Sequence, residues 1–160
     1  MKKNLNQGFT LIELLVVVAI IGLLAAVTMG YLSSARNKGD DTAVKSNLAT
    51  ARSMSELFYS NNNNSYLPSG GTDVAGTCPT VYDTLGTNML SKDKTVFDAM
   101  TEAIKRGSGS ACYNSSNNWA VAVGLKVVAN TSWCVDNSGA AKVVNSAPSS
   151  AISGSTFLCN

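Results

Sequence analysis

Apolar residues fill the stretch from Phe9 to Met29 almost without a break, with only Thr10, Glu13, Gly22 and Thr28 interrupting it. At about 1.5 Å per residue this run spans roughly 31 Å as a helix, close to the thickness of a bilayer core. No charged residue occurs between Leu14 and Ala35. So uniform a run leaves no polar face to show to water, which sets it apart from the core helix of a soluble domain. Lys2 and Lys3 stand just before it, predicting a cytoplasmic N-terminus with the remainder of the chain facing outward.

The helical pattern then changes character without stopping. Ala43, Val44, Leu48, Ala51, Met54, Leu57 and Phe58 recur at three- and four-residue steps, Lys45, Arg52 and Glu56 fall on other faces, and no proline precedes Pro68. The spacing predicts one helix from Phe9 to about Ser60, on the order of 80 Å long at ~1.5 Å per residue. Its first half, residues 9–32, has to lie outside the globular domain, and residues 33–61 supply that domain with an amphipathic face. Asn61 to Asn64, Pro68 and Gly70-Gly71 end the helix with turn-favouring residues. A secretory signal peptide cut near Ser33-Ser34-Ala35 is the competing reading, and the continuing helical pattern argues against it.

Residues 62–118 read as a long connection with short helices. Within it Thr95 and Asp98 form an N-terminal cap, Val96, Phe97, Met100, Ala103 and Ile104 share a face, and Gly107 is the stop. Beyond it the period becomes two. Trp119, Val121, Val123, Leu125 and Val127 alternate with smaller or polar residues up to Val128, the pattern of a half-buried strand. Strands at Ser132 to Asp136 and Ala141 to Val144 follow, separated by turn residues. The predicted class is α+β: a long N-terminal helix packed on a small antiparallel meander of about three strands, residues 119–144, within an exported domain of residues 33–160. Residues 145–160 have no usable period, and Cys159 alone suggests that this tail is tethered.

Composition narrows the chemistry. With 160 residues, 45% apolar and 14% charged, the chain holds at most one modest globular domain. Twelve Lys and Arg oppose ten Asp and Glu with no basic stripe, so no nucleic-acid partner is expected. The chain contains no histidine, which removes Ser-His and Cys-His nucleophile pairs, an imidazole base and histidine-bound zinc. Gly107-Ser108-Gly109-Ser110 matches neither a phosphate loop nor a nucleophile elbow, and no enzyme is predicted. Cys78, Cys112, Cys134 and Cys159 all follow the apolar run, and an even count in an exported domain points to disulfides. Of three possible pairings, Cys78–Cys112 would close the connection and Cys134–Cys159 would staple the tail to the second strand. No metal or cofactor is expected.

At Gly8-Phe9-Thr10-Leu11-Ile12-Glu13-Leu14-Leu15 the sequence resembles the processing site and N-terminal helix of a type IV prepilin or pseudopilin. The resemblance is dense from Lys2 to about Ala26. It implies the pilin fold, removal of residues 1–8 as a leader by a prepilin peptidase cutting between Gly8 and Phe9, and N-methylation of Phe9. Loss of Lys2 and Lys3 leaves ten basic and ten acidic side chains, a formally neutral subunit apart from its termini. A carboxylate in a membrane helix costs several kcal/mol unless paired or neutralised. Protonation or snorkelling of Glu13 to the interface is one escape. The resemblance implies another, pairing with the amino group of Phe9 on a neighbouring subunit, so that Glu13 and Phe9 fix the register of assembly. Two features depart from the family. The apolar helix lacks the proline that many pilins carry, leaving Gly22 and Gly30 as its weak points, and Asp136 with Asn137 offers too few oxygen ligands for the calcium expected near the C-terminus of major pseudopilins.

The function implied is that of a structural subunit, held in the inner membrane and then added to a helical filament of itself and other pilins by an inner-membrane assembly machinery. Such extracellular pili serve adhesion, motility, DNA uptake or secretion. A periplasmic pseudopilin of a type II secretion or competence system is the alternative within the family. A signal-anchored binding protein using Trp119, Trp133, Tyr66, Tyr82 and Tyr113 as contacts is the alternative outside it.

Overall fold

A computed structural model describes residues 9–160, which divide after Arg36 into two units. One helix, α1 (Leu11–Asn61), belongs to both. In the first unit the large apolar side chains from Phe9 to Leu32 are exposed, and α1 is the one helix among the described residues long and apolar enough to cross a membrane. It continues through Gly22 and Gly30 without interruption.

In the second unit α1 buries Asp41, Val44, Leu48, Ala51 and Ser55, steps of three and four that put them on one face. Leu57, expected on that face, is exposed, and Asp41 and Ser55 take places no apolar pattern assigns them. After α1 come β1 (Val74–Gly76), α2 (Met89–Lys92), α3 (Lys94–Arg106), β2 (Ser110–Asn114), β3 (Trp119–Gly124), β4 (Ser132–Asp136), β5 (Ala141–Val144) and α4 (Pro148–Ala151).

The five strands form one antiparallel sheet in sequence order, so the expected three-strand meander, β3 to β5, is extended by β1 and β2. These two fell inside the stretch read as connection. Three residues are too few to show a period, and Ser-Ala-Cys-Tyr-Asn in β2 carries no run of β-branched residues. Their pairing is supplied by the register, Val74 opposite Asn114 and Cys112 opposite Val121.

The central strand β3 was expected to be half-buried and to reach Val128. It ends at Gly124, and every residue in it is buried. Trp119, Val121 and Val123 enter the main core with Val44, Leu48, Met100 and Val135, while Ala120 and Ala122 face a second, smaller core with Ala111, Cys134, Ala151 and Ile152. Short alanines on that face let the C-terminal segment lie close to the sheet, so the tail is a third layer covering it.

Helix α3 is capped by Asp93, whose carboxylate accepts hydrogen bonds from Thr95 N (3.0 Å) and Val96 N (2.9 Å). The expected cap of Thr95 with Asp98 is therefore shifted, and Asp98 instead pairs with Lys94 at 2.7 Å on the helix surface. Gly107 does stop the helix, its N–H donating to Ala103 O. A side chain there would run into Val123 Cγ1 and come within 2.8 Å of the Gly124 carbonyl oxygen, so glycine is required by close approach.

Candidate functional site: the N-terminal helix start and the ties of the exported unit

The start of α1 is built from two side chains. Thr10 donates from its amide to Glu13 Oε2 (2.9 Å) and from its hydroxyl to the same oxygen (2.7 Å). Glu13 N donates back to Thr10 Oγ1 at 3.3 Å. This reciprocal arrangement is a capping box, with Thr10 at the cap and Glu13 three residues on, satisfying donors that the first helical turn leaves without partners. Phe9 lies just outside the helix and is exposed. Gly8 lies outside the described residues.

Glu13 is thus not a bare carboxylate within the subunit. It has a neutral partner in its own chain and still offers Oε1, which makes no hydrogen bond among the described residues. The apolar pattern and charge of the N-terminal segment do not by themselves assign Thr10 as its partner. The Thr-x-x-Glu spacing ahead of an apolar run is the signal that finds it.

The expected cysteine pairs are each brought together. Cys78 is joined to Cys112, tying the connection to β2, and Cys134 to Cys159, tying the tail to β4. A second tie, absent from any motif, lies beside the latter. Buried Asp136 accepts from Ser138 N (2.9 Å), Ser138 Oγ (2.7 Å) and Ala140 N (3.2 Å) through Oδ1, and from Cys159 N (2.8 Å) through Oδ2. One carboxylate therefore shapes the β4–β5 turn and anchors the C-terminal segment.

At the other end of the sheet Asp41 does similar work. Its two oxygens accept from Lys126 N (2.7 Å) and Val127 N (3.1 Å), fixing the β3–β4 loop against α1. Neighbouring Asp40 accepts from Lys126 Nζ at 2.9 Å, an interaction that holds its carboxyl below the usual carboxylate range. Ser108, in the Gly-Ser-Gly-Ser segment, donates from its amide to Gly124 O and from its hydroxyl to Leu125 O, binding the same loop.

The aromatic residues considered as ligand contacts are mostly occupied. Trp119 and Tyr66 are core residues, with the Tyr66 hydroxyl donating to Glu56. Tyr82 packs on Phe97, Tyr113 on Phe157, and Lys45 Nζ lies 5.1 Å from the centroid of the Trp133 ring.

Comparison with known proteins agrees with the geometry of the helix start. The model of the prokaryotic N-terminal methylation motif matches residues 3–29. The chain is 50% identical over 57 residues to the type IV wide pilus major component PilA4 of Thermus thermophilus, covering 36% of this chain and 44% of that protein. It is 40% identical over 55 residues to the type IV major pilin protein PilA of Myxococcus xanthus, 34% of this chain and 25% of that one. A longer match, 29% over 80 residues, is to the type II secretion system core protein G of Aeromonas hydrophila, 50% of this chain and 56% of that protein. The chain thus spans between a quarter and somewhat over half of the length of these relatives. No solved structure matches it. With the methylation motif at its start and one exposed apolar helix leading into an antiparallel sheet, the chain is similar in its N-terminal part to type IV major pilins and to a type II secretion core protein.

Proposed function

We propose that this chain is the structural, non-enzymatic subunit of a type IV pilus-like filament. The carrying observation is the Thr10–Glu13 capping box at the head of an apolar helix whose large side chains from Phe9 to Leu32 are exposed among the described residues. A surface of that kind is stable in a bilayer or against copies of itself. Residues 1–8 are a leader that prepilin peptidase removes by cutting between Gly8 and Phe9, and Phe9 is then N-methylated. Residues 9–32 hold the subunit in the inner membrane with the N-terminus cytoplasmic, and later form the filament core; residues 33–160 form its outer surface. The assembly machinery of the inner membrane moves the subunit from one state to the other.

Within the filament Glu13 receives the cationic amino group of Phe9 from a neighbour. Its Oε1 is open to that bond while Oε2 stays with Thr10. A subunit staggered by a turn would leave the cation without its partner in an apolar core, and this penalty sets the axial register.

A pseudopilin role in a type II secretion or competence system is the second reading, favoured by the longer stretch matched to core protein G. Intact-mass and N-terminal peptide analysis of the protein extracted from its native membrane tests both. A chain beginning at N-methylated Phe9 is expected. One beginning at Met1 would leave a signal-anchored binding protein, and one beginning near Arg36 would mean a secreted domain.

A further inference from the structure

In the second unit, the β3–β4 loop is held rigid by the Asp41 carboxylate, by the Asp40–Lys126 pair and by Ser108. Yet what it displays is apolar: Val127 is 47% and Val128 57% exposed. With Val143 they floor an open groove of about 400 Å³, whose rim carries Lys38 and Lys45. Neither lysine has a carboxylate partner among the described residues.

A matching projection lies at the opposite end of the same unit. Helix α3 places Arg106 3.5 Å from Asp40, so Lys94, twelve residues earlier, is about 18 Å away at ~1.5 Å per residue. Beside that far end the segment from Val81 to Leu85 is fixed by Tyr82 packing on Phe97, by Asp83 N donating to Ser91 O (3.0 Å) and by Leu85 N donating to Asp83 Oδ1 (2.8 Å). It displays Val81 and Leu85, 70% and 85% exposed, with the exposed Asp83 between them.

Charge separates in the same direction. Around the groove Lys38, Lys45, Arg106 and Lys126 outnumber Asp40 and Asp41. Around the projection Asp83, Asp93 and Asp98 outnumber Lys92 and Lys94. A subunit that is formally neutral after processing is therefore polar end to end.

We propose that the Val81–Leu85 projection of one copy seats in the Val127–Val128–Val143 groove of a second copy, with Asp83 meeting Lys38 and Lys45. The two surfaces differ and lie at opposite ends, so the contact is heterologous and repeats without closing, as a filament requires. Opposed potentials favour this end-to-end orientation over the reversed one. The inference rests on the filament reading above and assigns the outer contact that accompanies the helix core.

The test uses the full chain carrying Leu85→Cys and Val128→Cys together. All described cysteines are disulfide-bonded, so the two new thiols are the ones that react. A short bis-maleimide applied to sheared filaments is expected to give a ladder of covalent multimers, absent from either single variant. Filaments that form but yield only monomer overturn this contact and leave the filament reading standing. Failure of the unsubstituted, processed chain to form any filament overturns that reading itself. Should the double-cysteine chain not assemble, Lys38→Glu is expected to lose filaments and Asp83→Lys added to it to restore them; no restoration overturns the proposal. Fluorophore attached to the Val128→Cys variant that shifts on anionic phospholipid vesicles, with no ladder in filaments, would assign the groove to the membrane surface and overturn it as well.

Discussion

Thr10 and Glu13 cap one another: the threonine amide and hydroxyl both donate to Glu13 Oε2, and the Glu13 amide donates back to the hydroxyl. The same carboxylate is thereby a local helix cap and the proposed acceptor of a neighbour's amino group. Thr10→Ala is expected to weaken the helix start by about 0.5–2 kcal/mol and to reduce filament yield only partly, because the amide still donates. Glu13→Val is expected to leave membrane insertion intact or improved and to abolish ordered filaments. Electron microscopy of sheared material from both variants, beside a membrane fractionation, checks the pair, and normal filaments from Glu13→Val would remove the register argument.

The proposed cleavage after Gly8 calls for a backbone that enters the peptidase extended, with no side chain to obstruct it. Gly8→Ser is expected to hold the protein in its longer form, visible as a slower band and as a mass that retains residues 1–8. Appearance of the shorter form despite the change would mean that another signal directs processing.

Two part-buried amide donors depend on Asp41. In Asp41→Ala both lose their acceptor, and a total loss of about 1–3 kcal/mol is the expected scale, since water reaches these amides in part. Denaturant unfolding of the detergent-solubilised mature protein measures it. An unchanged midpoint would show that water replaces the carboxylate and that the loop is not held by it.

Removing the Cys134–Cys159 bond by Cys134→Ala with Cys159→Ala frees a loop of 25 residues in the unfolded chain and should lower stability by roughly 2–4 kcal/mol. Asp136 still anchors the Cys159 amide, so the tail is expected to loosen without leaving the sheet. Adding Asp136→Ala should release it, opening the alanine face of β3 to solvent. Amide exchange at Ala120 and Ala122 distinguishes these outcomes: slow exchange in the triple variant would mean the tail stays docked through Ala151 and Ile152 alone.

Burial, reinforced by the adjacent Glu56 carboxylate, raises the Tyr66 phenol well above its ordinary 10.0. The stabilisation from this neutral phenol is fully present below about pH 10 and is lost as pH rises through the higher folded value. Tyr66 should resist ionisation in an alkaline absorbance titration of the folded protein, and Tyr66→Phe should remove that late step. A late step that survives Tyr66→Phe would place it on another residue.

Much of this was legible in the chain because the signals are local. A membrane-length apolar run, the glycine, aromatic and acid at its head, and a helical period continuing past Arg36 need only neighbours within a turn or two to be read, and α1 from Leu11 to Asn61 follows them closely. The alternation in residues 119–124 likewise marked β3, and the even cysteine count marked the ties. Tertiary structure alone decided the rest. Asp41 meets Lys126 across 85 positions, Asp136 meets Cys159 across 23, and β2 becomes a strand because β1 and β3 pair with it. Ala120 and Ala122 read as the outer face of a half-buried strand until the tail covers them. In each case the free energy that selects the conformation comes from a partner distant in sequence, such as a buried amide seeking an acceptor, a strand edge or an apolar face needing cover. No local period records such a partner.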